Sequence, residues 1–139
     1  MKRALLLIMT SSLIAGFILA FSGCRTEPTP SPTPPVVEFT EESSLAIAEE
    51  FVRNSPTFLF DGMEETLELV ETRYPELEHS WVFVYQFDSR QAGYGDRTGE
   101  MLAEVITPHE AVITVSKNEV VTAVMDETWD MLGQELIEG

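Results

Sequence analysis

The fold is decided by the stretch Trp81-Val82-Phe83-Val84-Tyr85-Gln86-Phe87. Its odd-numbered residues are all aromatic, whereas its even-numbered residues are two valines and a glutamine. Successive side chains of a β-strand point to opposite faces, so this alternation predicts a strand with one aromatic face. Burial stabilises each such side chain by about 1.5–3 kcal/mol before the entropy cost. We therefore interpret the aromatic face as core rather than as a platform for a ligand.

An amphipathic helix over residues 41–54 is predicted to cover the aromatic face. Thr40 is suited to cap this helix, and Glu41 and Glu42 lie near its positive end. Its polar face is acidic, whereas a helix that lies on a membrane surface needs a basic one. The helix is expected to end before Pro56, because the residue before a proline avoids helical geometry. Its apolar side chains share one arc, and they are Leu45, Ile47, Ala48, Phe51 and Val52.

The segment before the aromatic strand predicts a first strand over residues 66–72. Its leucines alternate as in a strand, although the same segment also satisfies a helical period. Gly62 and Pro75 bracket a short run, so we favour the strand. Residues 74–79 then predict a turn region. Upstream, residues 58–60 are a short apolar stretch that is expected to lead into a turn.

The segment after residue 100 predicts the remaining strands. Residues 101–107 are apolar and strand-like, and Pro108 is expected to interrupt them because proline cannot donate to a central ladder. The strand resumes over residues 111–116. A hairpin-length break at residues 117–119 precedes the last strand, over residues 120–125.

The predicted fold class is α+β. Asp126 is expected to cap a final short helix that holds Trp129, Met131 and Leu132. The order of the other elements is one helix followed by three to five antiparallel strands. This order predicts an N-terminal amphipathic helix packed on an antiparallel sheet of about four strands.

The order of elements resembles the cystatin-like arrangement and, more distantly, the small extracytoplasmic PepSY class. Residues 89–99 and the Thr107-Pro108-His109 corner are also similar to small exported domains of unknown function. No cystatin inhibitory motif maps onto this chain residue by residue. The resemblance therefore implies an arrangement of elements and no activity.

The first 24 residues predict export and an anchor. Lys2 and Arg3 form a basic start, and an apolar run extends from Ala4 to Phe21. The segment Phe21-Ser22-Gly23-Cys24 resembles the lipobox of prokaryotic lipoproteins. This resemblance implies cleavage before Cys24 and lipidation of that cysteine. The alternative is an uncleaved membrane helix, because the 18 residues of the apolar run are long enough to span a bilayer.

Three regions are predicted along the chain. Residues 1–23 are the signal peptide, residues 24–38 are a tether rich in proline and threonine, and residues 39–139 are one α+β domain. The tether favours extended polyproline II, which makes it a semi-rigid spacer. The expected location is the cell membrane, with the domain lipid-anchored and facing the extracytoplasmic side. Cys24 is the only cysteine, so its lipidation would leave no thiol for a disulfide, a nucleophile or a metal site.

The charge of the chain is strongly acidic. It has 24 acidic and 8 basic residues, and removal of Lys2 and Arg3 leaves 6 basic residues and a net charge of −18. Nucleic acid is not an expected partner, because binding it requires a basic surface. The acidic surface is explained by solubility or by recruitment of cations or basic peptides. The sequence leaves both explanations open.

The candidate site is the loop over residues 88–100. It contains three of the eight glycines of the chain, and glycine permits close approach to a ligand. Arginine suits carboxylate groups, and backbone N–H groups of such loops form anion-binding nests. We therefore predict a site for a protein, a peptide or a small anion. Its residues are Arg90, Tyr94, Asp96, Arg97 and His109.

A structural role for the same loop is the alternative. In that case Asp88 and Asp96 pair with Arg90 and Arg97, and the glycines only make turns. The two interpretations differ in geometry, because a binding site needs the loop and His109 to meet in one concave pocket.

Catalytic and metal sites have little support in the sequence. His79 and His109 are the only histidines, and neither lies in a metal-ligand spacing, so we predict no metal and no cofactor. A triad of Ser89, His109 and Asp96 can be assembled only by selecting residues afterwards. The expected function is thus a lipid-anchored binding or interaction domain. The alternative is an enzyme modulator or inhibitor, or a small hydrolase at the cell surface.

Overall fold

The computed structural model describes residues 38–138, which form two helices, a short 3₁₀ turn and six strands. The strands pair in chain order, and every pairing is antiparallel. The predicted α+β class with an antiparallel sheet is therefore confirmed. Four of the strands are long, and the last two have two residues each. The elements are α1 (Glu41–Arg53), α2 (Pro56–Asp61), the 3₁₀ turn (Glu64–Thr66), β1 (Glu68–Arg73), β2 (Ser80–Gln91), β3 (Glu104–Ser116), β4 (Glu119–Met125), β5 (Trp129–Asp130) and β6 (Glu135–Leu136).

The predicted signal peptide over residues 1–23 and the lipidation site Cys24 lie outside the described residues, as does the tether up to residue 37. Within residues 38–138, no helix has both the length and the hydropathy that are needed to cross a membrane.

The start of α1 is fixed to the turn between β3 and β4. The Oγ1 atom of Thr40 caps the helix by accepting the backbone N–H of Ser43 at 3.1 Å. Asn118 accepts the hydroxyl of Ser43 at 2.9 Å and donates to the carbonyl of Glu38 at 3.1 Å. Lys117 and Asn118 both have positive φ, and they form the predicted break before the last long strand. Residue 38 therefore lies at the end of the sheet where β3 meets β4.

The aromatic face of β2 is part of the core, as predicted. Helix α1 packs across β2, β3 and β4 and buries Ala48 and Val52. The hydroxyl of Tyr85 donates to the carbonyl of Leu45 at 3.4 Å. Burial raises the pKa of Tyr85 to about 12. The fully buried apolar side chains of the three central strands are Phe83, Val84, Tyr85, Phe87, Ala111, Ile113, Val115, Ala123 and Met125.

The apolar stretch of residues 58–60 lies in helix α2, which was not predicted, and the helix ends where the turn was expected, at Asp61 and Gly62. Pro56 takes the first helical position, where its missing N–H is not needed, and Ser55 accepts the N–H of Phe58 as a cap. The same proline therefore ends one helix and begins the next. Phe58 packs edge-on against Phe87, with ring centroids 5.0 Å apart.

Strand β3 runs through Pro108, so the predicted interruption is wrong. Pro108 lies opposite Asp88 in the ladder. The N–H and the carbonyl of Asp88 bond to Thr66 and Met63, on the side of β2 that faces away from β3. The pair is therefore not hydrogen-bonded across β2 and β3, and the nitrogen of Pro108 points away from β2. Strand β4 pairs with β3 only from Ala111 onward, so this proline takes no bond out of the ladder.

The predicted C-terminal helix after Asp126 is also wrong. Asp126 and Glu127 both have positive φ, and the N–H of Thr128 bonds to the carbonyl of Met125 at 3.1 Å. This two-residue turn matches the twist of a hairpin, so the chain returns as β5 instead of entering a helix. Trp129 then pairs with Met125 in the ladder.

Candidate functional site

The register of β2 and β3 brings Ser89 and His109 together on the core side of the sheet. His109 lies opposite Phe87, and Ser89 follows two residues later on the same face of β2. Ser89 is 0% exposed and His109 is 3% exposed. A buried polar side chain needs hydrogen-bond partners, so the contacts of this pair define what it can do.

Ser89, His109 and Asp126 form a hydrogen-bonded chain, which we call the His109 network. The Nε2 atom of His109 lies 3.1 Å from Oγ of Ser89, and its Nδ1 atom lies 2.7 Å from Oδ2 of Asp126. The other carboxylate oxygen of Asp126 accepts the backbone N–H of Glu110 at 2.7 Å. Burial alone would raise the pKa of Asp126. The hydrogen bonds from His109 and Glu110 outweigh that effect and hold this pKa below its usual range.

The sequence did not identify Asp126 as a member of this network. Its carboxylate reaches His109 because the turn at residues 126–127 folds directly beside the histidine. The signal was the acidic pair Asp126-Glu127 between two apolar runs, which suits a two-residue turn as well as a helix cap. Asp96, the acid of the triad weighed from the sequence, is exposed and bonds instead to Thr98.

The His109 network has the order of a serine hydrolase relay, but Ser89 is not placed to act as a nucleophile. Its hydroxyl is fully buried and donates to the carbonyl of Gln91 at 2.7 Å. A catalytic serine must reach the carbonyl carbon of a substrate. The geometry therefore supports a structural and electrostatic role for the network.

An acidic cleft lies beside the network. Its volume is about 320 Å³, and buried His109 forms part of its wall. Glu68 and Glu110 flank Gln86 on neighbouring strands, and the amide of Gln86 donates to Glu110 at 3.2 Å. Four carboxylates line this cleft, and they belong to Glu68, Asp88, Glu110 and Asp126. We call it the acidic cleft.

Arg97 is buried in the interior of the domain. Its side chain is 3% exposed, and Nη2 lies 2.5 Å from Oδ1 of Asp61. Its Nη1 atom donates to the carbonyl of Gly93, and its guanidinium lies 4.7 Å from the ring centroid of Phe60. Arg97 therefore joins the loop after β2 to helix α2 inside the domain.

Arg90 and Asp96 lie apart from the acidic cleft. Arg90 is exposed and lines a different depression with Met63 and Glu104. Asp96 lines a third depression beside Phe60, and its hydrogen bonds from Thr98 hold its pKa below the usual range. Among the ion pairs within residues 38–138, neither the Asp88–Arg90 nor the Asp96–Arg97 pair of the structural alternative occurs.

Tyr94 is the residue of the predicted loop that meets His109. Its ring stacks on Trp129 with centroids 5.3 Å apart and an interplanar angle of 10°. The ring of His109 lies 5.7 Å from that of Tyr94. The hydroxyl of Tyr94 lies 3.3 Å from Oγ1 of Thr128, and burial raises the pKa of this phenol. Of the five predicted site residues, the structure thus brings together Tyr94 and His109.

Metal binding has no geometric support in the part of the chain that the structure describes. There, no three histidine, cysteine, aspartate or glutamate side chains converge closely enough to hold an ion.

Comparison with known proteins gives no relative: no protein-family model, no curated protein and no solved structure matches the chain.

Proposed function

We propose that this chain is a lipid-anchored, extracytoplasmic binding domain whose acidic cleft holds a cationic group of a protein partner. The observation that carries the proposal is that Glu68, Asp88, Glu110 and Asp126 all line one concave surface. The cationic group is a guanidinium or an ammonium. The site differs from the anion site expected from the sequence, because Arg97 is committed to Asp61.

The chemistry of the cleft favours a cation for two reasons. Like charges on adjacent strands repel one another, and a bound cation relieves that repulsion. A guanidinium donates in a planar fork that matches a carboxylate, so an arginine side chain fits a wall of several carboxylates. The strongly acidic chain would also steer a basic partner toward the domain.

The anchor is part of the same proposal. The basic start, the apolar run and the lipobox-like segment before Cys24 support export and lipidation. The proline-rich tether supports a domain that is held away from the membrane. The single long helix on an antiparallel sheet supports a cystatin-like arrangement, and we propose a likeness of arrangement without a shared activity.

The alternative from the sequence, a small hydrolase, is weakened by the burial of Ser89. An enzyme modulator is compatible with the proposal if the partner that supplies the cationic group is itself an enzyme. The experiment that follows tests the cleft and does not depend on the identity of that partner.

The test is binding of a fluorescent tetra-arginine amide to the full chain in detergent micelles at about 150 mM salt, where exposed charges are screened beyond ~8 Å. We expect the double change Glu68→Gln and Glu110→Gln to weaken binding about tenfold, or ~1.4 kcal/mol. The matched control is Glu78→Gln with Glu119→Gln, two exposed residues at the other end of the sheet. Equal weakening by both pairs would show that the probe senses only net charge, and the proposal would fail.

A further inference from the structure

The contacts of the His109 network require three protons. The three contacts join Nδ1 to Asp126, Nε2 to Ser89, and Oγ of Ser89 to the carbonyl of Gln91. A carboxylate and a carbonyl can only accept, so a proton must lie between the heavy atoms of each contact. The serine hydroxyl supplies one proton, and a neutral imidazole supplies only one more.

Each neutral form of His109 leaves one contact without a proton. With the proton on Nδ1, the hydroxyl of Ser89 must donate to Nε2. Oγ of Ser89 and the carbonyl oxygen of Gln91 then lie 2.7 Å apart with no proton between them. With the proton on Nε2, the lone pair of Nδ1 faces the carboxylate of Asp126 at 2.7 Å. Only the imidazolium, with a proton on both nitrogens, satisfies all three contacts at once.

We propose that His109 is protonated in this arrangement and that loss of its proton strengthens the binding of a cationic group in the acidic cleft. This inference rests on the proposed function, because it concerns the regulation of the same cleft. The imidazolium balances the carboxylate of Asp126. Deprotonation leaves that carboxylate uncompensated at the wall of the cleft.

The groups around His109 favour the charged ring. On the β2 and β1 sides the cleft carries Asp88 and Glu68, on the β3 side it carries Glu110, and the β4–β5 turn supplies Asp126. The loop supplies Tyr94, whose hydroxyl bonds to Thr128. On the side of α2, Phe58 packs edge-on against Phe87, and the charged residues Asp61 and Arg97 are paired with each other. The surroundings therefore carry excess negative charge.

Deprotonation of His109 removes one of the three protons of the His109 network. The proton on Nδ1 stays, because a carboxylate is the stronger acceptor. The proton on Nε2 leaves to solvent, and the hydroxyl of Ser89 turns from Gln91 to the free lone pair. Loss of one positive charge about 8 Å from a bound cation strengthens its binding by about three- to tenfold when the effective dielectric lies between that of a protein surface and that of water. By linkage, binding of the cation at an intermediate pH must release a proton.

The first measurement needs no ligand. We would record the ¹⁵N signals of both ring nitrogens of His109 in the full chain at pH 7.5, with assignment by a His79→Asn variant. His79 has positive φ, which asparagine tolerates. The expected result is a directly bonded proton on both nitrogens of His109. A signal from a bare ring nitrogen at this pH would overturn the inference.

The second measurement is calorimetric titration of the full chain with the tetra-arginine amide at pH 6 and pH 8.5, in two buffers of different ionisation enthalpy. We expect three- to tenfold tighter binding at the higher pH and proton release between the two values. His109→Gln should remove both effects, and His79→Asn should remove neither. If the His109→Gln variant does not fold, the change in affinity and the proton release of the unaltered chain still test the proposal.

The outcomes separate the two proposals. Binding with equal affinity at both pH values and no proton release overturns the regulation and leaves the proposed function standing. Absence of binding at both pH values overturns the proposed function and the regulation together.

Discussion

Arg97 and Asp61 form an ion pair in the interior of the domain, and its two side chains are 3% and 8% exposed. Within residues 38–138, the second carboxylate oxygen of Asp61 and Nε of Arg97 have no hydrogen-bond partner. The pair therefore depends on its one direct contact, on the hydrogen bond from Arg97 to the carbonyl of Gly93 and on the packing of the guanidinium against Phe60. Such a pair positions the loop after β2 against α2, and loss of either partner would leave a buried charge.

We expect Arg97→Met to destabilise the domain by about 3–5 kcal/mol, because Asp61 would remain buried without its cation. The sequence pattern placed Arg97 in a candidate binding site, whereas in the structure its side chain is buried against Asp61. The measurement is the free energy of unfolding by urea. Arg90→Met is the matched control, and as an exposed change it should stay within about 0.5 kcal/mol of the unaltered protein. Similar small effects of both changes would argue against a buried pair.

Asp126 should make the domain less stable in acid. The pKa of Asp126 is lowered in the folded state. Its contribution to the free energy of unfolding is therefore fully present above the pKa of the unfolded chain, about 3.9. That contribution is lost as the pH falls through the lower folded value. Asp126→Asn removes the charge but keeps a residue that tolerates positive φ. We expect a loss of about 1–3 kcal/mol at pH 7 and a smaller difference at pH 2.5. A difference between the two proteins that does not shrink in acid would contradict this account.

Pro108 should be replaceable. The nitrogen of Pro108 points away from β2, so Pro108→Ala is expected to change the free energy of unfolding by less than about 1 kcal/mol. Val112 lies in the same strand between Val84 of β2 and Val124 of β4. A proline there removes a ladder bond, so Val112→Pro should cost about 3 kcal/mol or more. Thermal denaturation of the two variants tests the register, and a large loss for Pro108→Ala would show that β3 is placed wrongly.

Ser89 should resist reagents that label active serines. A fluorophosphonate attacks a serine that is exposed and activated by a base, whereas Ser89 is fully buried and its hydroxyl donates to the carbonyl of Gln91. We expect no adduct on Ser89 in the folded chain by mass spectrometry. Ser89→Ala should lower the free energy of unfolding by about 1–3 kcal/mol, because a proton on His109 loses its acceptor. Labelling of Ser89 under native conditions would revive the hydrolase alternative.

Local patterns predicted the parts of the fold that depend on local chemistry. The aromatic alternation of residues 81–87 and the apolar arc of α1 each require burial of one face, whatever lies opposite. The cap at Thr40 and the turn at residues 117–118 involve neighbouring residues only. These four features were predicted correctly from the sequence.

The candidate site depends on distant pairings, which a single sequence does not specify. His109 meets Ser89 only because of the register of β2 and β3, and it meets Asp126 only because the chain returns as β5. Arg97 looked available for a ligand because nothing near it in sequence reveals Asp61, which is 36 residues away. The sequence thus singled out the loop of residues 88–100 as unusual, but the side chain of Arg97 points into the domain and pairs with Asp61.

The attachment of residue 38 to the β3–β4 turn separates the beginning of the described chain from the acidic cleft. Asn118 holds the beginning of the described chain at that end of the sheet. The acidic cleft lies at residues 108–110 of β3, some seven strand residues or about 24 Å further along the sheet. The described chain therefore begins at one end of the sheet and carries these carboxylates near the other. A partner that binds in the cleft would leave uncovered the end of the sheet at which residue 38 lies.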